Sequence, residues 1–210
     1  MANKEVLEQK VDIDPPPFPL TERDKWLLSI SDEEFTFHTW ENLKHIIDTN
    51  FLEDLLRKPS DLRRYLTWTR ATNAKYGSMT AYLLHHRLPW GSPPFTSTSP
   101  IPFQHPDDFK ILRNDWPYGV TDDITHIVVW SRTPIATNEK GDVTEESRRV
   151  IGYFVERTFG ERVGRDRVMW FKNWVQLQSV RALEHVHVLV RDATKEDLEV
   201  WTGEKGETKT

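Results

Sequence analysis

The sequence contains no cysteine. This excludes disulfides, a cysteine nucleophile and cysteine-ligated zinc or iron–sulfur sites. A chain without disulfides suits a reducing compartment, so we expect a cytosolic protein. No apolar run reaches the about 18 residues that a membrane-spanning helix needs. The polar start MANKEVLEQK also lacks the apolar core of a signal peptide, and we expect no membrane partner.

Positive charge is scarce as well, because the formal net charge is −5. General nucleic-acid binders neutralise phosphates with clustered lysine and arginine, so we expect no nucleic-acid partner. The sequence has no glycine-rich phosphate loop, no G-x-S-x-G elbow and no H-E-x-x-H helix. From these absences we predict no cofactor and no resident metal.

Tryptophan, in contrast, is abundant, with nine residues in a chain of 210. A soluble globular protein needs fewer for its core, so we expect some of them to line a pocket or an interface. Core packing remains the alternative for any single tryptophan.

Changes in composition divide the chain into five regions that form one integrated domain. Clustered prolines predict an extended tail over residues 1–20. Apolar residues at helical spacing, beginning with the cap signal TERD, predict helices over residues 21–88, with one long helix or two broken near Gly77. Residues 89–106 form a Pro/Ser-rich connection packed on the surface, residues 107–203 an α+β region, and residues 204–210 a second tail.

The α+β region has the order β-β-α-β-β-α. FKILRND (109–115) and ITHIVVWS (124–131) have strand composition and should pair. A helix follows, capped at Asp142 or Thr144 and ending near Gly160. RVMWFKNW (167–174) and LEHVHVLV (183–190) are two further strands, and TKEDLEVW is a terminal helix. The fold class is therefore α+β, a helical N-terminal segment packed on an antiparallel sheet.

Two histidines stand at alternate positions of the last strand. Because side chains alternate across a strand, His185 and His187 share one face, while the valines between and after them face the central helix. At about 3.3 Å per residue the two rings lie about 7 Å apart, so both can contact one ligand.

Imidazoles in this arrangement can attack phosphorus or accept a proton, bind a metal, or hydrogen-bond a ligand without chemistry. Two satisfied histidines on a sheet surface are the structural alternative. A metal site would need a third ligand such as His126 or Glu184.

The C-terminal half resembles the histidine-triad superfamily of nucleotide-binding hydrolases and transferases. The matching features are an Asn before a proline, a second strand that begins with His, an Asn on the third strand and a Q-S-V sequence leading into H-V-H. They correspond to Asn114, His126, Asn173, Gln178-Ser179-Val180 and His185-Val186-His187.

This resemblance implies a histidine-triad-like fold with His185 as nucleophile and His187 supporting the phosphate. It also implies that Asn114 contacts a ribose and that Ser179 or Asn173 contacts a phosphate oxygen. Arg181 is a further candidate for binding the anion, Trp116 for stacking on a base or sugar, and His126 for contacting the ligand. The first histidine of the triad is absent, because Leu183 or Glu184 stands in its place.

Most of the chain also resembles the fungal N-acetylglucosamine-induced protein family, through FKILRNDWPYGV, HIVVW, WFKNW and SVRALEHVHVLV. The two resemblances together imply a cytoplasmic protein of N-acetylglucosamine metabolism that binds a nucleotide sugar or another phosphorylated small ligand. Whether it is an enzyme stays open, and if it is, a phosphohydrolase or nucleotidyltransferase is implied. The alternatives are a metal-dependent or acid–base enzyme on a small metabolite and a non-catalytic regulatory protein; a homodimer is compatible with the sequence.

Overall fold

The computed structural model describes residues 15–205. The N-terminal region forms four helices: α1 (Glu22–Ser29), α2 (Trp40–Asp48), α3 (Pro59–Tyr76) and α4 (Met79–His86), with a 3-10 turn at Leu52–Asp54. Thr21 closes a capping box with Asp24 at the start of α1, as its sequence signal predicts. Gly77 ends α3 at φ 81°, a left-handed conformation that suits glycine. Residues 21–88 thus contain four α-helices joined by segments that are not α-helical, and Gly77 separates α3 from α4.

The second half contributes a four-stranded antiparallel sheet. Its strands are β1 (Phe109–Arg113), β2 (Ile124–Ser131), β3 (Val168–Phe171) and β4 (Glu184–Arg191), in the order β1-β2-β4-β3. In chain order, helix α5 (Glu145–Val155) follows β2 and precedes β3. It continues through a π turn (Glu156–Gly160) into α6 (Glu161–Val163). Helix α7 (Lys195–Thr202) follows β4. The α+β class and the antiparallel pairing of the first two strands are confirmed.

Two strands end earlier than the sequence predicts. The first strand ends at Arg113 rather than residue 115, because the side chain of Asn114 accepts the backbone N–H of Trp116 and turns the chain. The third strand ends at Phe171 rather than residue 174, and a 3-10 turn (Val175–Leu177) follows. The predicted N-terminal tail lies mostly outside the described residues.

One face of the sheet carries the valines of β4. Val186, Val188 and Val190 have no exposed surface and pack with Ile127 and Val129 of β2. Helix α5, the π turn after it and helix α7 cover this face through Ile151, Phe154, Phe159 and Trp201. Each fully buried side chain of this kind contributes about 1.5–3 kcal/mol of transfer free energy. Burial by α5 is the arrangement that the valine alternation predicts.

The opposite face carries His185, His187 and Leu189, and the N-terminal helices cover it. Helix α2 packs on Phe171 and Leu189. Leu83 of α4 packs with Leu112 of β1 and with strand β2. The imidazole-bearing face is therefore interior, between the sheet and a helical layer. No helix within residues 15–205 is long and apolar enough to cross a membrane.

Asp108 fastens the Pro/Ser-rich connection to the sheet. Its carboxylate is fully buried and accepts the backbone N–H groups of Thr98 and Ser99 at 2.8 and 2.7 Å. Arg132 donates to it at 2.9 Å. These three partners outweigh the desolvation that would raise the Asp108 pKa, and they lower it to about 2.

Asp108→Asn should destabilise the protein by about 3 kcal/mol, because it leaves Arg132 facing a neutral group and replaces one acceptor oxygen by a donor. Urea unfolding at pH 7 measures this, with the neighbouring exposed Asp107→Asn as the matched control. In the wild type the contribution should be present above pH 4 and lost as the pH falls towards 2, since the folded pKa is the lower one. Equal stability of the two variants would contradict this role.

Candidate functional site

A pocket opens between the helical layer and the imidazole face of the sheet. The sheet side carries His185, His187 and Trp130. The helical side and the rim are strongly aromatic and include Tyr65, Trp68, Tyr82 and Trp116. Such a shape suits a small ligand that contains a flat or ring-shaped part.

His185 has a fixed tautomer. Its Nδ1 lies 2.9 Å from the carbonyl oxygen of Leu183, which can only accept, so Nδ1 carries the proton. The ring packs against Trp130 with centroids 4.6 Å apart. Burial lowers the His185 pKa to about 4, assisted by the charge of Lys172 and opposed by the Leu183 bond. At neutral pH the ring is uncharged, and Nε2 carries a lone pair with no hydrogen-bond partner among residues 15–205, the form that a nucleophile or base requires.

His187 is hydrogen-bonded to a third histidine, His126 of β2. The Nε2 of His126 lies 2.9 Å from the Nδ1 of His187. The backbone N–H of Tyr118 points at the Nδ1 of His126 at 3.4 Å. A neutral ring has one proton, so His126 carries it on Nε2 and donates it to His187. His187 must then carry its own proton on Nε2.

Asn173 lies where that proton of His187 points. One end of its amide is 3.3 Å from the Nε2 of His187 and 3.0 Å from the hydroxyl of Tyr118. With nitrogen at that end, the amide oxygen is buried and has no partner among the described residues. The two ends of an amide have nearly the same shape, and with oxygen at that end Asn173 accepts from both groups. Gln178 holds the segment by donating to the Asn173 carbonyl at 2.7 Å.

Burial also keeps the other two imidazoles neutral. It lowers the pKa of His126 to about 3, with a smaller contribution from Arg57. It holds the pKa of His187 well below its usual range, and the neighbouring His126 and His185 lower it further. Tyr118 stacks on His126 and Phe171 on His187, with centroids 5.2 and 4.8 Å apart. The three rings therefore form a neutral, tightly packed cluster.

The rim of the pocket joins distant parts of the chain. Asp115 lies at the rim and pairs with Arg87 at 2.6 Å. The same arginine pairs with Glu204, just after α7, at 3.2 Å. Because Arg87 neutralises Asp115, the acidic group at the rim does not oppose an anionic ligand.

The structure brings most of the predicted site residues together. His185, His187, Asn114, Trp116 and Ser179 line the pocket. The other three lie elsewhere: His126 and Asn173 directly behind His187, and Arg181 exposed at the surface, outside the pocket lining.

Sequence reasoning missed the wall that the N-terminal helices supply. Arg57, Tyr65, Trp68 and Tyr82 line the pocket although they lie more than 90 residues before His185. Tyr65 and Leu66 lie on the buried face of α3. Periodicity identifies such a face, but it does not show which surface the face covers.

The arrangement does not match the alternative metal site. Within residues 15–205 no group of three His, Asp or Glu side chains is placed to hold a metal. The ring nitrogens of His126 and His187 face each other at hydrogen-bond distance, and Glu184 pairs with Lys172 at 3.2 Å. The nitrogens and the carboxylate that a metal would need therefore bond to neighbouring side chains and do not converge on one point.

Comparisons with known proteins agree on one family. A profile of the family described as "Protein of unknown function (DUF3605)" matches residues 39–191. The chain is 29% identical over 192 residues to N-acetylglucosamine-induced protein 1 of Candida albicans, covering 82% of this chain and 76% of that one. It is 27% identical over 164 residues to the uncharacterized protein YPL067C of Saccharomyces cerevisiae, covering 75% of this chain and 81% of that one. The crystal structure of HTC1 superposes with a TM-score of 0.61 at 24% identity, over 77% of this chain and 91% of that one, and this supports the fold.

The neutral imidazole cluster should make the free energy of unfolding decrease as the pH is lowered through a defined window. The unfolded chain binds protons near pH 6.5 and the folded rings do not, so stability is complete above that pH and declines below it. Each buried imidazole adds a slope of up to about 1.4 kcal/mol per pH unit. Urea unfolding between pH 7 and pH 5 measures the slope.

His185→Phe keeps a ring against Trp130 and removes one titrating group. Its slope should be shallower by about 1.4 kcal/mol per pH unit near pH 5. The control is His45→Gln, which changes an exposed imidazole on α2 and should keep the wild-type slope. A wild-type slope in His185→Phe would show that His185 is not held neutral.

Proposed function

The chain belongs to the DUF3605 family, the family of the fungal N-acetylglucosamine-induced proteins, and we propose that it serves N-acetylglucosamine-linked metabolism by binding a nucleotide sugar or another phosphorylated small ligand in this pocket. The name of the Candida albicans relative supports the sugar, and the pocket supports the phosphorylated ligand. The proposed location is the cytoplasm, because a sequence without cysteine suits a reducing compartment.

The observation that carries the proposal is the state of His185 at the floor of the pocket. A neutral ring with its Nδ1 proton held by Leu183 presents Nε2 as a lone pair. The pocket also offers the guanidinium of Arg57 and the hydroxyl of Ser179, which suit phosphate oxygens. Its aromatic walls suit a base or a sugar ring.

The same geometry suits phosphoryl or nucleotidyl transfer, as the histidine-triad resemblance implies. In the proposed step Nε2 of His185 forms a bond to phosphorus while the bond from phosphorus to the leaving oxygen breaks, and the electron pair leaves with that oxygen. Water then attacks phosphorus and breaks the N–P bond; its proton passes to solvent and the ring returns to its neutral form. Hydrolysis of a phosphoanhydride is the proposed reaction class.

We propose that a histidine of another strand takes the part of the first triad histidine, which the sequence lacks. Leu183 is 2% exposed and belongs to the apolar cluster with Leu83 and Val180. The third imidazole instead comes from His126 on β2, through its bond to His187. We propose that His126 and Asn173 orient His187, and that His187 supports the phosphate.

Ligand binding should appear as thermal stabilisation. UDP-N-acetylglucosamine and N-acetylglucosamine 6-phosphate are the probes, and neutral N-acetylglucosamine is the comparison. A probe at about 100 times its dissociation constant should add about 2.7 kcal/mol to the stability. Stabilisation by neither phosphorylated probe would contradict the proposal.

His185→Asn separates binding from chemistry. The asparagine Nδ2 can take over the bond to the Leu183 carbonyl, while the nucleophilic Nε2 is lost. We expect ligand affinity within about threefold of the wild type and turnover, followed as released phosphate or nucleotide, reduced at least about 10³-fold. His45→Gln is again the control, and wild-type turnover in His185→Asn would exclude His185 as the nucleophile.

A further inference from the structure

Arg57 is a cation in the wall of the pocket. It lies between the 3-10 turn at Leu52–Asp54 and α3, and it lines the pocket. Among residues 15–205 no carboxylate pairs with it. Its positive charge reaches the imidazole cluster, where it disfavours the protonated forms of His126 and His187. A partly buried guanidinium with no carboxylate partner is costly unless something else satisfies it.

Neighbouring groups orient the Arg57 guanidinium, although no carboxylate of the described residues neutralises its charge. Its Nε donates to the carbonyl of Trp116 at 3.2 Å. Its central carbon lies 4.5 Å from the ring centroid of Tyr65 and 5.2 Å from that of Tyr118. These contacts orient the group without consuming its two Nη atoms, which have no hydrogen-bond partner within the described part of the chain. Two parallel N–H donors therefore remain for a ligand.

The backbone around Arg57 is fastened to the segment after β1. Gly119 donates to the carbonyl of Leu56 at 2.8 Å, and its own carbonyl accepts from the backbone of His38 at 2.8 Å. The ring of His38 accepts the backbone N–H of Leu56 at 3.2 Å. A Cβ at Gly119 would lie 2.4 Å from the Phe35 ring and 3.2 Å from the Lys58 nitrogen, so only glycine fits this close approach. The sequence WPYG (116–119) thus holds Arg57 in place.

The other nearby cations are less suited to the same role. Lys172 is paired with Glu184, and Arg87 is shared between Asp115 and Glu204. Arg113 lines the pocket but is exposed to solvent, where a charge contributes less to binding.

We propose that Arg57 is the specificity-determining residue of the pocket: its two Nη donors bind the anionic group of the ligand, and the segment 116–119 positions it for this. The inference rests on the proposed function and names the group that selects a phosphorylated ligand over a neutral sugar. It also makes the N-terminal region part of the binding site rather than a cover for the sheet.

Isothermal titration calorimetry with UDP-N-acetylglucosamine and with inorganic pyrophosphate tests this assignment. Arg57→Met keeps the length of the side chain and should weaken binding of both probes by about tenfold or more. Arg57→Lys keeps the charge but loses the paired donors, so its affinity should fall between wild type and Arg57→Met. Arg113→Met is the matched control and should weaken binding by less than about threefold.

The outcomes separate this inference from the proposed function. Wild-type affinity in Arg57→Met, with the wild type binding both probes, overturns the role of Arg57 and leaves the proposed function intact. Equal losses in Arg57→Met and Arg113→Met show a general charge effect and also overturn it. A wild type that binds neither probe overturns the proposed function and this inference together. If Arg57→Met does not fold, wild-type affinity in Arg57→Lys overturns the paired-donor role.

Discussion

The contact between the N-terminal helices and the imidazole face of β4 determines both the protonation state of the histidines and the shape of the pocket. Without that layer His185 and His187 would titrate in water like ordinary surface histidines. With it they lie at 5% and 7% exposure and stay neutral. The same contact creates the pocket, because the aromatic side chains of α3 and α4 face the rings across it. The helical layer therefore supplies both the electrostatic state of the histidines and the opposite wall of the site.

Sequence reasoning predicted the sheet well because its signals are local. The valine alternation in EHVHVLVR places the two histidines on one side, and the observed pairing of His187 with Val128 and of His185 with Trp130 agrees. The cap at Thr144 and the glycine at residue 77 also have local causes. The end of β3 was placed three residues too late, because hydrogen bonds of Asn173 to Tyr118, His187 and Gln178 draw the chain away from the sheet.

The composition of the site was harder to predict because it depends on contacts between distant segments. His185 and His187 are two positions apart in the sequence, but His126 joins them only through the pairing of β2 with β4. Arg57 has no motif of its own in the sequence. Its place depends on Tyr65, Tyr118 and the carbonyl of Trp116, which come from two regions about 50 residues apart. The span matched by the family, residues 39–191, contains all these residues and omits α1 and α7.

A pocket enclosed by two layers has a mechanical consequence for the chain. A molecule held by Arg57 on one side and by the sheet on the other would act as a non-covalent cross-link between segments that are far apart in the sequence. Separation of the helical layer from the sheet would first require release of the bound molecule. Occupancy would thereby slow the opening movements that expose backbone to proteases, and the lifetime of the protein would become linked to the supply of the proposed ligand.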